Sequence, residues 1–239
     1  MPTIFEQLEY AVGIFKDKLS VYDAVDEGHG YSWPNFIYTS PTFRRAHLDI
    51  VDARATKKLY MAHLCIFPHV NDPSPVYGLD IIAGPTKVTG AFHDFSPIGK
   101  DSKLLPWFKD HVDGLEWSKP RQLPDWAKRI FSGNMIAAGN ISTEEELSTF
   151  FDLAFNSFDH YLGNIGEVSE HDYSLAQNNY CRNQKQNPHT PKVMSALGFS
   201  DEEVSNFIDR CLFPEVPIAH DRTFKRFIET VLSNYALTK

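Results

Sequence analysis

Cysteine, long hydrophobic runs and basic charge are all scarce in this chain. Its three cysteines, Cys65, Cys181 and Cys211, are odd in number and far apart, which excludes a disulfide scaffold and a thiolate-cluster metal site. A reducing, cytoplasmic compartment suits them. No apolar run reaches membrane-spanning length, and the opening MPTIFEQLEYAVGIFKDKL carries acids throughout, so neither a signal segment nor a membrane partner is expected. Basic residues number 23 against 31 acidic, a formal net charge of -8, which argues against a general nucleic-acid binder and leaves local basic patches open. There is no glycine-rich dinucleotide loop after the first strand and no GxxxxGK[ST] loop. GPTKVTG at 84–90 has the residue types without the spacing.

Aromatic residues, in contrast, are plentiful, with 18 Phe and 10 Tyr. Such large flat side chains fill a core or line a cavity, and core packing is the commoner use. Phe5, Leu8, Ala11, Val12, Phe15 and Leu19 recur at helical spacing and predict a first helix over 4–19. Strands are predicted at 30–39, 43–51, 57–67, 76–83, 87–95 and 131–138. Helices are predicted at 106–112 and 123–129, from a box at Ser142 or Thr143 with Glu145 or Glu146 to Tyr161, at 169–183 and 190–196, and from Ser200 onward. Residues 219–239 carry helical periodicity and predict one more helix. A helix, then hairpin-linked strands, then helices describes a mostly antiparallel sheet covered by helices rather than alternating βαβ units. No stretch reads as a linker, so one domain over 1–239 and a monomer are expected.

His63 and Asp80 lie in two alternating, half-apolar segments, KKLYMAHLCIFPHV and YGLDIIAG, joined by a turn-rich connection. An antiparallel pairing that turns near Val70 to Asp72 sets the two residues opposite each other, close enough to share a proton. Imidazole changes protonation cheaply near neutrality. A carboxylate among the apolar neighbours of Asp80 is costly unless paired, hydrogen-bonded or protonated. The plainer uses are a satisfied strand histidine and a carboxylate that caps a turn. His47 and Asp49 alternate onto one face of FRRAHLDIV, with Arg45 in the same parity. No third ligand at regular spacing completes a metal site with His63 and Asp80, and His69, His93 and Asp94 are loosely arranged, so no metal is expected. Arg44, Arg45, Lys57, Lys58 and Lys87, with Arg182, Lys185 and Lys192 of NNYCRNQKQNPHTPK, offer a basic docking surface for an acidic partner. A hydrolase built on His63 and Asp80 lacks a placed nucleophile.

Five stretches, PTFRRAHLDI, AHLCIFPH, YGLDIIAGPTKVTGAFHDFSP, NISTEEEL and YCRNQKQNPHTPKVMSALG, occur in an order that resembles the ferredoxin-dependent bilin reductases, most closely the phycocyanobilin:ferredoxin oxidoreductase branch. The resemblance implies a three-layer α/β/α sandwich that holds biliverdin IXα between its sheet and the C-terminal helices. It also implies reduced ferredoxin as electron donor, no tightly bound cofactor, and alternating electron and proton transfers through bilin radicals. Carried onto this chain, it makes His63 and Asp80 the central proton-handling residues and puts Thr89 at a propionate, with the basic Lys87 and Arg45 near substrate carboxylates. Where the family's phycocyanobilin-forming members use a glutamate, this chain has Asp49, one methylene shorter, and the Asp49-to-His63 stretch is slightly long. Asp49 is therefore expected to fall short of the D-ring vinyl group, which shifts the product towards phycoerythrobilin. Asp209, in NFIDRCLFPEV, is the nearest match to an aspartate that enters the pocket for A-ring chemistry. A bilin carrier without catalysis is the rival reading.

Overall fold

In a computed structural model the chain is described over residues 2–100 and 102–218; the helix expected at 219–239 lies outside the described residues. Strands β1 (Asp23–Ala24), β2 (Asn35–Thr39), β3 (Phe43–Ala53), β4 (Leu59–Pro68), β5 (Val76–Ala83), β6 (Val88–Ser96) and β7 (Ile136–Ala138) form one sheet in sequential order. Every neighbouring pair is antiparallel. Short connections suffice from β2 to β6, whereas residues 97–135 separate β6 from β7, and the helices cover the faces.

The first face is fully covered. Helices α1 (Ile4–Leu19), α3 (Leu104–Val112) and α5 (Glu144–Asn164) lay Leu8, Phe15, Phe108, Phe150 and Phe158 over Leu48, Leu64, Tyr77 and Phe95. Most of the aromatic excess is spent in this core. Thr3 caps α1 in a reciprocal box with Glu6, and the acidic first turn of α5 follows the Thr143 cap.

The opposite face is covered over half its length. Helices α6 (Ser174–Gln184), α7 (His189–Ala196) and α8 (Asp201–Asn206), continued by a π-helical stretch Phe207–Leu212, pack Tyr180, Cys181, Met194 and Phe207 over Ile37, Cys65, Phe67 and Val76. A short helical turn, α2 (Arg54–Lys57), joins β3 to β4, and α4 (Asp125–Lys128) precedes β7. The α/β/α layering agrees with the expectation from the resemblance.

Three elements start five residues later than the pattern predicts. Tyr31 and Trp33 leave the sheet to stack on each other and against Phe207, so β2 begins after Pro34. Residues 169–173 bond back to the β4–β5 loop, with Ser169 N–H donating to Asn71 O at 2.8 Å and Tyr173 N–H to Val70 O at 2.6 Å, so α6 starts late. Ser132 turns the chain before β7 and gives its backbone N–H to Asp94 at 2.9 Å.

Candidate functional site

Antiparallel register builds a continuous polar row across the sheet: Asn35 faces Asp49, Asp49 faces His63, His63 faces Asp80, and Asp80 faces Phe92. Direct cross-strand partners share a face. This row therefore lies on the half-covered side, at the point where the C-terminal helices stop. Next to it, Val51, Met61, Ile82 and Gly90 form a parallel apolar row. Val51, Met61, His63, Asp80, Ile82 and Phe92 are all half-buried, whereas Cys65, Phe67 and Val76 under the helices are fully buried. The result is an apolar shelf with a short line of titratable groups along its inner edge. Phe213, just past the π-helical stretch, sets its ring edge-on to His63 at 5.8 Å.

The expected His63 and Asp80 pairing is observed. Asp49 joins them: its Oδ1 stands 3.3 Å from Nδ1 of His63, an ionic contact without hydrogen-bond alignment, and neither atom has a hydrogen-bond partner. Burial works to lower the His63 pKa, but the Asp49 carboxylate and the Asp80 charge outweigh it and the pKa is raised. Burial pushes Asp80 up to about 6, with the His63 charge acting against that rise and Asp49 adding to it. The two groups interact, so their titrations belong to the pair. His47 is fully buried, and burial, with Arg45 next, holds its pKa well below the ordinary value. Its Nε2 faces Asn35 Oδ1 at 2.9 Å, while the Asn35 amide nitrogen donates to Trp33 O at 3.0 Å, which orients the amide and makes Nε2 the donor.

Other expected residues fall elsewhere. Thr89 and Lys87 sit at the β5–β6 hairpin, at the open end of the shelf; Thr89 Oγ1 donates to Ile82 O at 3.1 Å. Arg45 shares the face of His47 and Asp49 but is not a free cation. It forks onto Glu27 at 2.9 and 3.0 Å and donates to Cys211 O at 2.7 Å, tying the sheet to the C-terminal segment. Arg44 is likewise engaged, donating to Gln177 at 2.7 Å and lying over Phe67. Both therefore leave the expected docking surface, which retains exposed Lys57 and Lys58 and half-buried Lys87 at one end of the sheet, and exposed Lys192 on α7. Arg182 and Lys185 pair with Glu215.

Asp209 does not reach the row. Phe207, Ile208, Cys211 and Leu212 take the inner side of the π-helical stretch and turn Asp209 outward, where it is exposed and pairs with Lys185 at 3.1 Å. The slightly long Asp49-to-His63 stretch is absorbed in α2 and a left-handed Lys58, φ 52°, so Asp49 and His63 stay directly paired. Sequence reading missed Arg121, whose guanidinium lies over the Phe92 ring at 5.6 Å and donates to Thr89 O. It also missed Asn35 and Phe213. None carries a local motif; the register and the chain's return from the helices place them.

The comparisons place the chain by family and fold. The ferredoxin-dependent bilin reductase family model matches residues 6–214. A phycocyanobilin:ferredoxin oxidoreductase of Prochlorococcus marinus is 30% identical over 225 residues, 89% of this chain and 85% of the relative. One from Trichodesmium erythraeum is 27% identical over 196 residues, 78% of each. A solved structure of PcyX superposes with a TM-score of 0.57 at 32% identity, over 86% of this chain and 99% of that one. The tomato phytochromobilin synthase, solved in complex with biliverdin, shares the fold at a TM-score of 0.66 and 14% identity, over 87% of this chain and 81% of that one. Matched along nearly its whole described length, the chain belongs to the ferredoxin-dependent bilin reductases, oxidoreductases that reduce a bilin with electrons from ferredoxin.

Proposed function

We propose that the chain reduces biliverdin IXα to a phycobilin on the apolar shelf, with His63 as proton donor and Asp80 as substrate anchor and relay. The observation that carries this reading is the row of buried Asp49 and half-buried His63 and Asp80 across the sheet face, beside the half-buried apolar Val51, Met61 and Ile82. A flat tetrapyrrole needs apolar area for its rings and a few polar groups at fixed points. Val51, Met61, Ile82 and Phe92 supply the first and the row supplies the second.

Each electron from ferredoxin makes the conjugated bilin more basic. A protonated imidazole at the ring edge then completes the step without leaving charge in a poor dielectric. Asp80, with a pKa near 6, both accepts a hydrogen bond from the substrate and passes a proton on. Thr89, Lys87 and Arg121, grouped at the open end, suit the propionates. Lys57 and Lys58 face outward at the same end of the sheet and suit an acidic ferredoxin.

For the product we favour phycoerythrobilin. The Asp49 register is intact, so the argument rests on its shorter side chain alone. Phycocyanobilin is the second reading, supported by the relatives named phycocyanobilin:ferredoxin oxidoreductase. An anaerobic assay with biliverdin IXα, reduced ferredoxin and an electron-regenerating system tests both. A transient radical followed by a phycobilin supports the reaction, and retention against standards names the product. Binding without turnover overturns the reading in favour of a carrier.

A further inference from the structure

Among the described residues, His47 with Asp49 and His63 of the row has the composition of a metal site. His47 and Asp49 stand two residues apart on β3 and share a face, and His63 joins them from β4 as the direct partner of Asp49. Each side chain offers one ligand atom, and the three atoms lie within 4.8 Å of one another. Ion-to-ligand distances of about 2.0–2.2 Å put ligands roughly 3 to 4 Å apart, so a small side-chain adjustment closes the set.

The partners of these atoms point the same way. Among the polar atoms of these side chains, Nδ1 of His47 is buried without a partner, and Oδ1 of Asp49 and Nδ1 of His63 are buried with only their unaligned 3.3 Å ionic contact to each other; His47 and Asp49 are 0% and 7% exposed. A buried polar atom without a hydrogen bond is costly, and a cation between the three side chains satisfies Nδ1 of His47 and replaces the unaligned contact of the other two. Asn35 accepts from the other ring nitrogen of His47, the kind of contact that orients a histidine ligand. The nearby Arg45 charge is neutralised by Glu27, and Asp80 adds a second carboxylate beside His63. Two imidazoles and one carboxylate with an open side suit a divalent first-row transition ion.

We propose that His47, Asp49 and His63 bind such an ion, and that the bound ion withdraws His63 from proton transfer. The second half rests on the proposed role of His63; the binding does not.

Zn2+ is the probe. Equilibrium dialysis of the purified chain is expected to give one tightly held ion per chain. His47→Gln, Asp49→Asn and His63→Gln should each weaken it by at least about tenfold, while His111→Gln, away on α3, leaves it unchanged. Because a variant can fail to fold, Co2+ bound to the unaltered chain gives an independent readout: visible bands of nitrogen and oxygen ligands without a thiolate charge-transfer band. No saturable binding, binding that survives all three substitutions, or a thiolate band would each overturn the site. Chain loaded with Zn2+ and freed of excess ion should then fail to reduce biliverdin until a chelator is added, and full turnover of the loaded chain would overturn the second half. If the chain binds one Zn2+ through these residues yet reduces no bilin, the site stands and the reading of catalysis falls.

Discussion

Asp49 brings a carboxylate oxygen to 3.3 Å from Nδ1 of His63 without forming an aligned hydrogen bond. The contact raises the proton affinity of the imidazole and leaves its Nδ1 without an aligned acceptor. On the proposed mechanism, a donor that must hold its proton until the bilin becomes basic, and then release it, needs a raised proton affinity without a strong competing acceptor.

Asp49→Asn should therefore move the alkaline limb of the rate profile. With its pKa raised above 6.5, His63 stays protonated below that raised value and loses its proton as pH rises through it. Removing the Asp49 charge lowers the pKa, so turnover should fail at a lower pH than in the unaltered enzyme. A pH series of initial rates checks this, and an unmoved limb would detach Asp49 from the proton donor.

Asp80→Asn should slow reduction by roughly 10²- to 10⁴-fold, the scale of a lost proton-transfer group, and yet stabilise the fold. Burial raises the Asp80 pKa from 3.8 to about 6, so its contribution to stability is complete below the lower value and lost as pH rises through the higher one. Asparagine never ionises. The variant's denaturation midpoint should exceed that of the parent at about pH 8 and match it at about pH 4.

Asp49→Glu should shift the product towards phycocyanobilin, because the extra methylene extends the acid further over the shelf. Chromatography of the pigments decides it; an unchanged product ratio would mean that side-chain length at this position does not set regiochemistry.

Asp209→Asn should leave both reductions intact. Its carboxylate is exposed and pairs with Lys185 on the outer surface, where such a contact contributes about 1 kcal/mol or less. An enzyme stalled after the first reduction would show that the π-helical stretch rearranges to bring Asp209 inward.

His93 sets part of the acid stability. It is buried and neutral, bonded to Gly78 O at 2.8 Å and Ser157 Oγ at 2.6 Å, and burial pushes its pKa down to about 4. Its contribution is present above the unfolded value of about 6.5 and lost as pH falls through the folded one. The unaltered chain should thus lose about 3 kcal/mol relative to His93→Gln across that interval, measured by denaturant unfolding.

Periodicity in the sequence by itself determined the first helix, the meander of strands and the pairing of His63 with Asp80, because strand alternation and a turn-rich connection leave few registers that keep Leu64, Ile66, Leu79 and Ile81 buried. It also placed His47, Asp49 and Arg45 on one face. What those groups do there was decided by tertiary structure alone. Arg45 looks like a substrate anchor until Glu27 and Cys211 arrive from distant parts of the chain and occupy its fork. Asp209 looks like a pocket acid until the π-helical stretch turns it outward. The third ligand beside His47 and Asp49 has no regular spacing in sequence because the β3–β4 hairpin, not the local chain, brings His63 to them. Alternation records which face a residue takes, whereas charge pairing, desolvation and access to the shelf depend on which other segments reach that face.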